Sequence, residues 1–295
     1  MNKSLSGVGT ALVTPFKKDL SIDHEAYKKL VERQIDNNID FLIPLGTTGE
    51  TPCLDDNEKM KVLDITVSTT YKRIPIYAGA GSNSTHHTIK NIKMMEKVEI
   101  DGYLIVTPYY NKPTQSGLFN HFKAISESTD RSIILYNVPA RTAVNMTAET
   151  CLKIAEFKNV IAVKEASSNY SQISEIIRNV PEGFIVLSGN DDETLSLCAT
   201  GAKGVISVAS NLAPKELSLF LRFILKNEFE KAKEMHHLLM PLFKNCFVES
   251  NPIPVKAGLH SLNLLENIMR PPLYSSTEET YEVMKNTIQN LKINY

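Results

Sequence analysis

Asn159-Val160-Ile161-Ala162-Val163-Lys164-Glu165 is apolar at every position from 160 to 163 and then ends in a lysine. A run that is apolar throughout, rather than at alternate residues, suits a strand buried on both faces, and such strands belong to parallel sheets. Similar short apolar runs lie on either side: Val8 to Val13, Phe41 to Leu45, Ile74 to Ala78, Tyr103 to Val106, Ile133 to Tyr136, Phe184 to Leu187 and Val205 to Val208. Gly, Pro, Asn or Asp bounds each of them. Between the runs, Tyr27/Leu30/Val31/Gln34/Ile35, Ile173/Ile176/Ile177/Val180 and Leu217/Phe220/Leu221/Ile224/Leu225 repeat at helical spacing, as amphipathic helices packed on a sheet do. Asp55 with Glu58 reads as a capping box that opens a helix carrying Met60, Leu63 and Val67.

Strand and helix thus alternate eight times, which favours a closed (β/α)8 TIM barrel. An open doubly wound sheet uses the same alternation, but no G-x-G-x-x-G follows the first strand to cradle a dinucleotide. After Leu225 the strand pattern stops. Helical periodicity continues, ending in a helix with Ser276/Glu279 as its capping pair and Tyr281/Met284/Ile288/Leu291 as its apolar face. The expected organisation is a catalytic barrel over residues 1–225 and a C-terminal helical extension over 226–295.

Composition narrows the function classes. The 295 residues carry 32 basic and 33 acidic side chains, a net charge of -1, so there is no global field to draw nucleic acid or an anionic membrane. The four cysteines are far apart and form no C-x-x-C pair, and none of the seven histidines sits in a ligand array, so neither a metal nor a disulfide framework is indicated. Met1 to Gly7 lacks the apolar core of an export signal, and no stretch approaches the roughly 20 apolar residues that span a bilayer. A cytoplasmic enzyme is expected.

In a barrel the chemistry sits at the C-terminal ends of the strands. Lys164 stands at such an end. Desolvation there lowers a lysine pKa and yields the neutral amine that attacks a carbonyl, whereas pairing with Glu165 or snorkelling to solvent would leave it inert. One strand earlier, Tyr136 is placed to relay protons or simply to fill the core, and Arg141 to grip a carboxylate or join a surface ion pair. Gly46-Thr47-Thr48-Gly49-Glu50 offers N–H groups and hydroxyls for a small anion, or a plain turn. Tyr109 and Tyr110, between Pro108 and Pro113, form a rigid aromatic loop suited to a site or an interface. Gly189 permits close approach to the backbone, and Asp191 and Asp192 read as helix caps without a catalytic role.

Taken in order, the Gly46 to Glu50 segment, Tyr136-Asn137-Val138-Pro139-Ala140-Arg141-Thr142 and Val163-Lys164-Glu165 resemble the motifs of the pyruvate-dependent class I aldolases of the N-acetylneuraminate lyase superfamily. Within these, the dihydrodipicolinate synthase family is the nearest match, and the likeness runs from Gly7 to beyond Ile206. The resemblance implies a lyase that condenses pyruvate with L-aspartate 4-semialdehyde in the diaminopimelate route to lysine, without a cofactor. It implies that Lys164 forms the imine, and that Tyr136, Thr47 and Tyr110 relay protons, Tyr110 coming from a neighbouring subunit. It further implies that Thr48 holds the pyruvate carboxylate, that Arg141 holds that of the semialdehyde, and that Gly189 and the Ile206 carbonyl line the pocket. A homotetramer built from two tight dimers is the family's common form.

The alternative within the superfamily is N-acetylneuraminate lyase or a sugar-acid aldolase, but an arginine after Asn137-Val138-Pro139 suits a short carboxylated aldehyde better than a sugar. A flavin- or phosphate-binding barrel is disfavoured because Asp191 and Asp192 occupy the place where a phosphate would sit. Feedback inhibition by lysine also belongs to the resemblance. Asn83 and Tyr109 fit the sensitive pattern, but His87 stands where an acidic residue would hold an ammonium, and Asp56 and Lys59 replace two histidines. Weak or absent lysine inhibition is therefore expected.

Overall fold

The structure is a computed structural model that describes residues 5–293, so the first four residues of the N-terminal stretch weighed for an export signal lie outside it. Eight strands, β1 (Gly7–Ala11), β2 (Phe41–Ile43), β3 (Tyr77–Gly79), β4 (Gly102–Val106), β5 (Ser132–Asn137), β6 (Val160–Glu165), β7 (Ile185–Ser188) and β8 (Gly204–Ser207), form one parallel sheet. Its order, β2-β1-β8-β7-β6-β5-β4-β3, leaves β2 and β3 at the ends, and a parallel bridge between Leu42 and Ile76 joins them. This closure makes a (β/α)8 barrel and excludes the open doubly wound sheet. The third strand starts later than its apolar run because Pro75 has no N–H and the Ile76 N–H donates to the Asp101 carboxylate at 2.8 Å.

The barrel is wrapped by α1 (His24–Asp36), α2 (Asp56–Thr70), α3 (Thr85–Met95), α4 (Gln115–Ser126), the single turn α5 (Pro139–Thr142), α6 (Ala148–Ala155), α7 (Tyr170–Asn179), α8 (Thr194–Ala199) and α9 (Pro214–Leu225). Three more helices follow: α10 (Phe229–Asn245), α11 (Ile253–Ser261) and α12 (Glu278–Asn290). Asp55 and Glu58 do form the capping box of α2. The cap of α12 is Thr277, whose hydroxyl accepts the Thr280 N–H at 3.2 Å, and not the Ser276/Glu279 pair, because helical geometry begins one residue later. No helix among the described residues is long and apolar enough to cross a membrane.

The strands are apolar on both faces because each face has its own core. Ile134, Tyr136, Ala162, Leu187 and Ile206 pack inside the barrel, while Ile133, Leu135, Val163, Val186 and Val205 pack outward against the helices. Alternation along a strand has a period of two, so a single extra residue exchanges the faces. Such a residue exists in β6. Ile133 pairs with Val160 but Ile134 pairs with Ala162, which leaves Ile161 as a bulge. Beyond it Ala162 faces in, Val163 faces out, and Lys164 comes opposite Tyr136.

Inside the barrel, close approach dictates composition. A Cβ on Gly9 would lie 2.0 Å from the Phe41 ring, so the bulk of Phe41 is accommodated by the missing side chain of its neighbour. Gly9→Val is expected to cost about 1–3 kcal/mol through overpacking, measured by urea unfolding, and Gly9→Val combined with Phe41→Leu should recover part of that loss. A Gly9→Val protein as stable as its parent would contradict this packing.

Candidate active site

The bulge in β6 places Lys164 in the barrel mouth at 5% exposure, with its Nζ 4.3 Å from the centroid of the Tyr136 ring. Burial brings its pKa down to about 7, Arg141 pushes in the same direction, and Asp191 opposes both. At neutral pH a large share of the amine is therefore unprotonated. The pairing of Lys164 with Glu165 does not form, since consecutive strand residues face opposite ways. Glu165 is instead tied outside the barrel, accepting from Asn137 Nδ2 at 2.7 Å, from the Ser167 N–H at 3.1 Å and from Gln172 Nε2 at 3.3 Å.

Tyr136 is 7% exposed, and burial raises its pKa to about 12, against the pull of Arg141 and of a hydrogen bond with the Thr47 side chain. The phenol thus remains protonated at neutral pH. Arg141 sits on α5, where Pro139 at the first turn fixes the entry of the chain, and it lines the cavity with no ion pair among the described residues. It is free to receive an anion.

After β2 the chain turns through two short 3₁₀ segments, Thr47–Gly49 and Thr51–Cys53. Two N–H groups that the sequence offers to an anion are used inside the first turn, Gly49 to the Gly46 carbonyl and Glu50 to the Thr47 carbonyl, both at 3.1 Å. What the loop presents to the cavity is the exposed Thr47 side chain. Thr48 is buried and its hydroxyl accepts from Asn251 Nδ2 at 2.9 Å. Gly189 follows β7, and its Cβ would lie 2.6 Å from the Ala166 Cβ and 2.9 Å from the Glu165 carbonyl, so its bareness is required by the neighbouring strand end. Ile206 is fully buried in the barrel interior, paired with Gly9 across β1 and β8.

Thr47, Tyr136 and Arg141 share one cavity of about 640 Å³, which extends past Tyr109 to Asp56, Lys59, His87 and Lys90. Lys164, Thr48, Gly189 and Ile206 are not among its lining residues, and neither is Tyr110. It is 89% exposed and held at a φ of 74°, a conformation uncommon for a residue with a side chain. At the far end, Asp56 is engaged by Lys59 at 3.2 Å and by Lys90 at 4.0 Å.

Two buried polar groups, Asn251 and Lys256, have no reading in the sequence, and a third, Asp191, differs from its reading as a cap. Asp191 caps no helix of its own but accepts the Val208 and Ala209 N–H groups at 3.0 Å each, and it is a charge acting on Lys164. Asn251 bonds Thr48, and Lys256 is fully buried against Glu50. The signal for Lys256 was present in Ile253-Pro254-Val255-Lys256-Ala257-Gly258-Leu259, a lysine in an apolar run like Lys164.

A closed parallel barrel with a desolvated lysine against a buried tyrosine, and an unpaired arginine lining the same cavity as that tyrosine, is the framework of a lyase of the class I aldolase type. The chain belongs to the dihydrodipicolinate synthetase family, whose model matches residues 4–291. It is 48% identical to the 4-hydroxy-tetrahydrodipicolinate synthase of Thermotoga neapolitana over 287 residues, 96% of this chain and 97% of that one. The crystal structure of the dihydrodipicolinate synthase of Thermotoga maritima superposes with a TM-score of 0.96 at 45% identity, covering 98% of this chain and 99% of that chain. The chloride-inhibited dihydrodipicolinate synthase of Acinetobacter baumannii, solved in complex with pyruvate, gives a TM-score of 0.96 at 37% identity, covering 98% and 100%.

If Lys164 attacks as the free amine, kcat/KM for pyruvate should fall about tenfold per pH unit below a pKa near 7 and level off above it. Asp191 raises the lysine pKa, so Asp191→Asn should move that inflection to lower pH. An inflection unmoved by the substitution would remove Asp191 from the electrostatics of the site.

Proposed function

We propose that this chain condenses pyruvate with L-aspartate 4-semialdehyde to give 4-hydroxy-tetrahydrodipicolinate, the reaction for which its close relatives are named. The observation that carries the reading is Lys164, desolvated to a pKa of about 7 with its Nζ over the ring of Tyr136, which lines one cavity together with the unpaired Arg141. The neutral Lys164 amine adds to the pyruvate ketone, and loss of water leaves a protonated imine. That imine is an electron sink, so the pyruvate methyl gives up a proton to the Tyr136–Thr47 relay and becomes an enamine. The enamine carbon attacks the aldehyde, whose oxygen takes a proton from the relay to become the hydroxyl. The substrate amine then closes onto the imine carbon and expels Lys164, which regenerates the free enzyme without a hydrolytic base.

In this reading Thr48 and Arg141 hold the two substrate carboxylates, and Gly189 and the Ile206 carbonyl line the pyruvate end. Tyr110 completes the relay from a second copy of the chain, in a homotetramer assembled from tight dimers. Its 89% exposure within one chain supports that assignment. Residues 1–225 act as the catalytic barrel and 226–295 as its helical extension, and the enzyme works in the cytoplasm. The Lys59 and Lys90 cations around Asp56, with His87 nearby, disfavour an ammonium ligand at the far end of the cavity.

A coupled assay should give product from pyruvate and aspartate semialdehyde with ping-pong kinetics, and no cleavage of N-acetylneuraminate; the reverse pattern would assign the chain to a sister aldolase. Arg141→Ala should raise the KM for the aldehyde and leave the pyruvate imine intact. Unchanged aldehyde kinetics would remove Arg141 from its carboxylate role. Added L-lysine should not inhibit in the sub-millimolar range, and inhibition there would refute the reading of the far end. Sedimentation should give a mass above that of one chain, whereas an active monomer would remove Tyr110 from the relay.

A further inference from the structure

The loop that carries Thr47 is bracketed by two residues with side chains in the left-handed region, Leu45 at a φ of 59° and Glu50 at 52°. A conformation so costly persists only where the surroundings hold it. On one side, the Leu45 carbonyl is admitted by Gly79, where a Cβ would lie 1.9 Å from it. The other side is held from a distance of about two hundred residues. Glu50 is completely buried, and its Oε1 accepts from Lys256 Nζ at 2.5 Å, an atom that also donates to the Ile268 carbonyl at 2.9 Å. Glu50 Oε2 accepts the Arg270 backbone N–H at 3.1 Å. Phe16 lies beneath both cations, its ring centroid 4.2 Å from Lys256 Nζ and 4.6 Å from the Arg270 guanidinium carbon. Asn251 adds a separate bond, to the Thr48 hydroxyl.

Asn251, Lys256, Ile268 and Arg270 come from the helical region beyond residue 225, and none of them is needed to close the barrel. A fully buried carboxylate is expensive to desolvate, and a hydrophobic residue of similar size would fill the space as stably. A charged pair here imposes one geometry. We propose that Lys256 and Asn251 are positioning residues: through Glu50 and Thr48 they fix the 46–50 loop so that the Thr47 hydroxyl meets Tyr136, and proton transfer at the substrate methyl depends on them while the extent of imine formation at saturating pyruvate does not. This rests on the Schiff-base reading of Lys164 given above.

The two steps separate experimentally. Borohydride trapping with pyruvate reports the imine, and exchange of the pyruvate methyl hydrogens for deuterium, at saturating pyruvate and without aldehyde, reports proton transfer. The variants are Glu50→Gln/Lys256→Met, which removes both charges together and leaves neither buried alone, and Asn251→Ala. At saturating pyruvate each should trap pyruvate to the parent's extent, while exchange falls by about 100-fold, the loss typical of a misplacement of about 1 Å. A merely structural role would instead lower trapping and exchange together, in step with melting temperature. If the double variant does not fold, Asn251→Ala decides. Exchange at the parental rate in a folded variant overturns the proposal. A parent that traps no pyruvate refutes the Schiff-base reading itself, an outcome distinct from a trapped variant with undiminished exchange.

Discussion

One unpaired residue in one strand sets the chemistry of this barrel. Because Ile161 is a bulge, β6 leaves its pairing with β5 one residue out of step, and everything beyond it changes face. Lys164 then points into the barrel across from Tyr136, and Glu165 points out to Asn137 and Gln172. With regular pairing, Lys164 would stand opposite Asn137 and be directed among the helices. A period of two tolerates no intermediate arrangement, so the catalytic reading and the packing of the strand end are fixed by the same residue.

The electrostatics follow from that placement. Lys164 is too buried to keep its usual pKa, yet Asp191, held by two backbone N–H groups at the end of β8, restrains the fall. The outcome, near 7, leaves the amine able to exist both neutral and charged at neutral pH. Tyr136 is driven the other way by the same burial and stays protonated. An amine that readily loses its proton beside a phenol that keeps its own is what one desolvated environment produces when it acts on groups of opposite charge type.

The barrel was readable because eight short apolar runs, separated by amphipathic helices, admit few arrangements. Lys164 was readable because a lysine closing an apolar strand contradicts its surroundings. Other features were not. The bulge leaves no mark in composition, since Val160, Ile161 and Ala162 are equally apolar. Asp191 was taken for a local cap because sequence shows neighbours along the chain, whereas its partners Val208 and Ala209 lie on the next strand end. Asn251, Lys256 and Arg270 reach the 46–50 loop over about two hundred residues, and only the closed fold brings them there. Lys256 shows how the rule that found Lys164 operates twice: a lysine in an apolar segment marks a buried amine, and the fold decides whether it is paired with a glutamate, as Lys256 is with Glu50, or left beside a tyrosine, as Lys164 is.

The account stands on Lys164 being the residue that bonds covalently to pyruvate. Borohydride reduction in the presence of pyruvate, followed by peptide mass mapping, measures this directly. One reduced adduct per chain, confined to the peptide containing Lys164 and lost in Lys164→Ala, is the predicted result; an adduct on Lys256 or another lysine, or none at all, would contradict it.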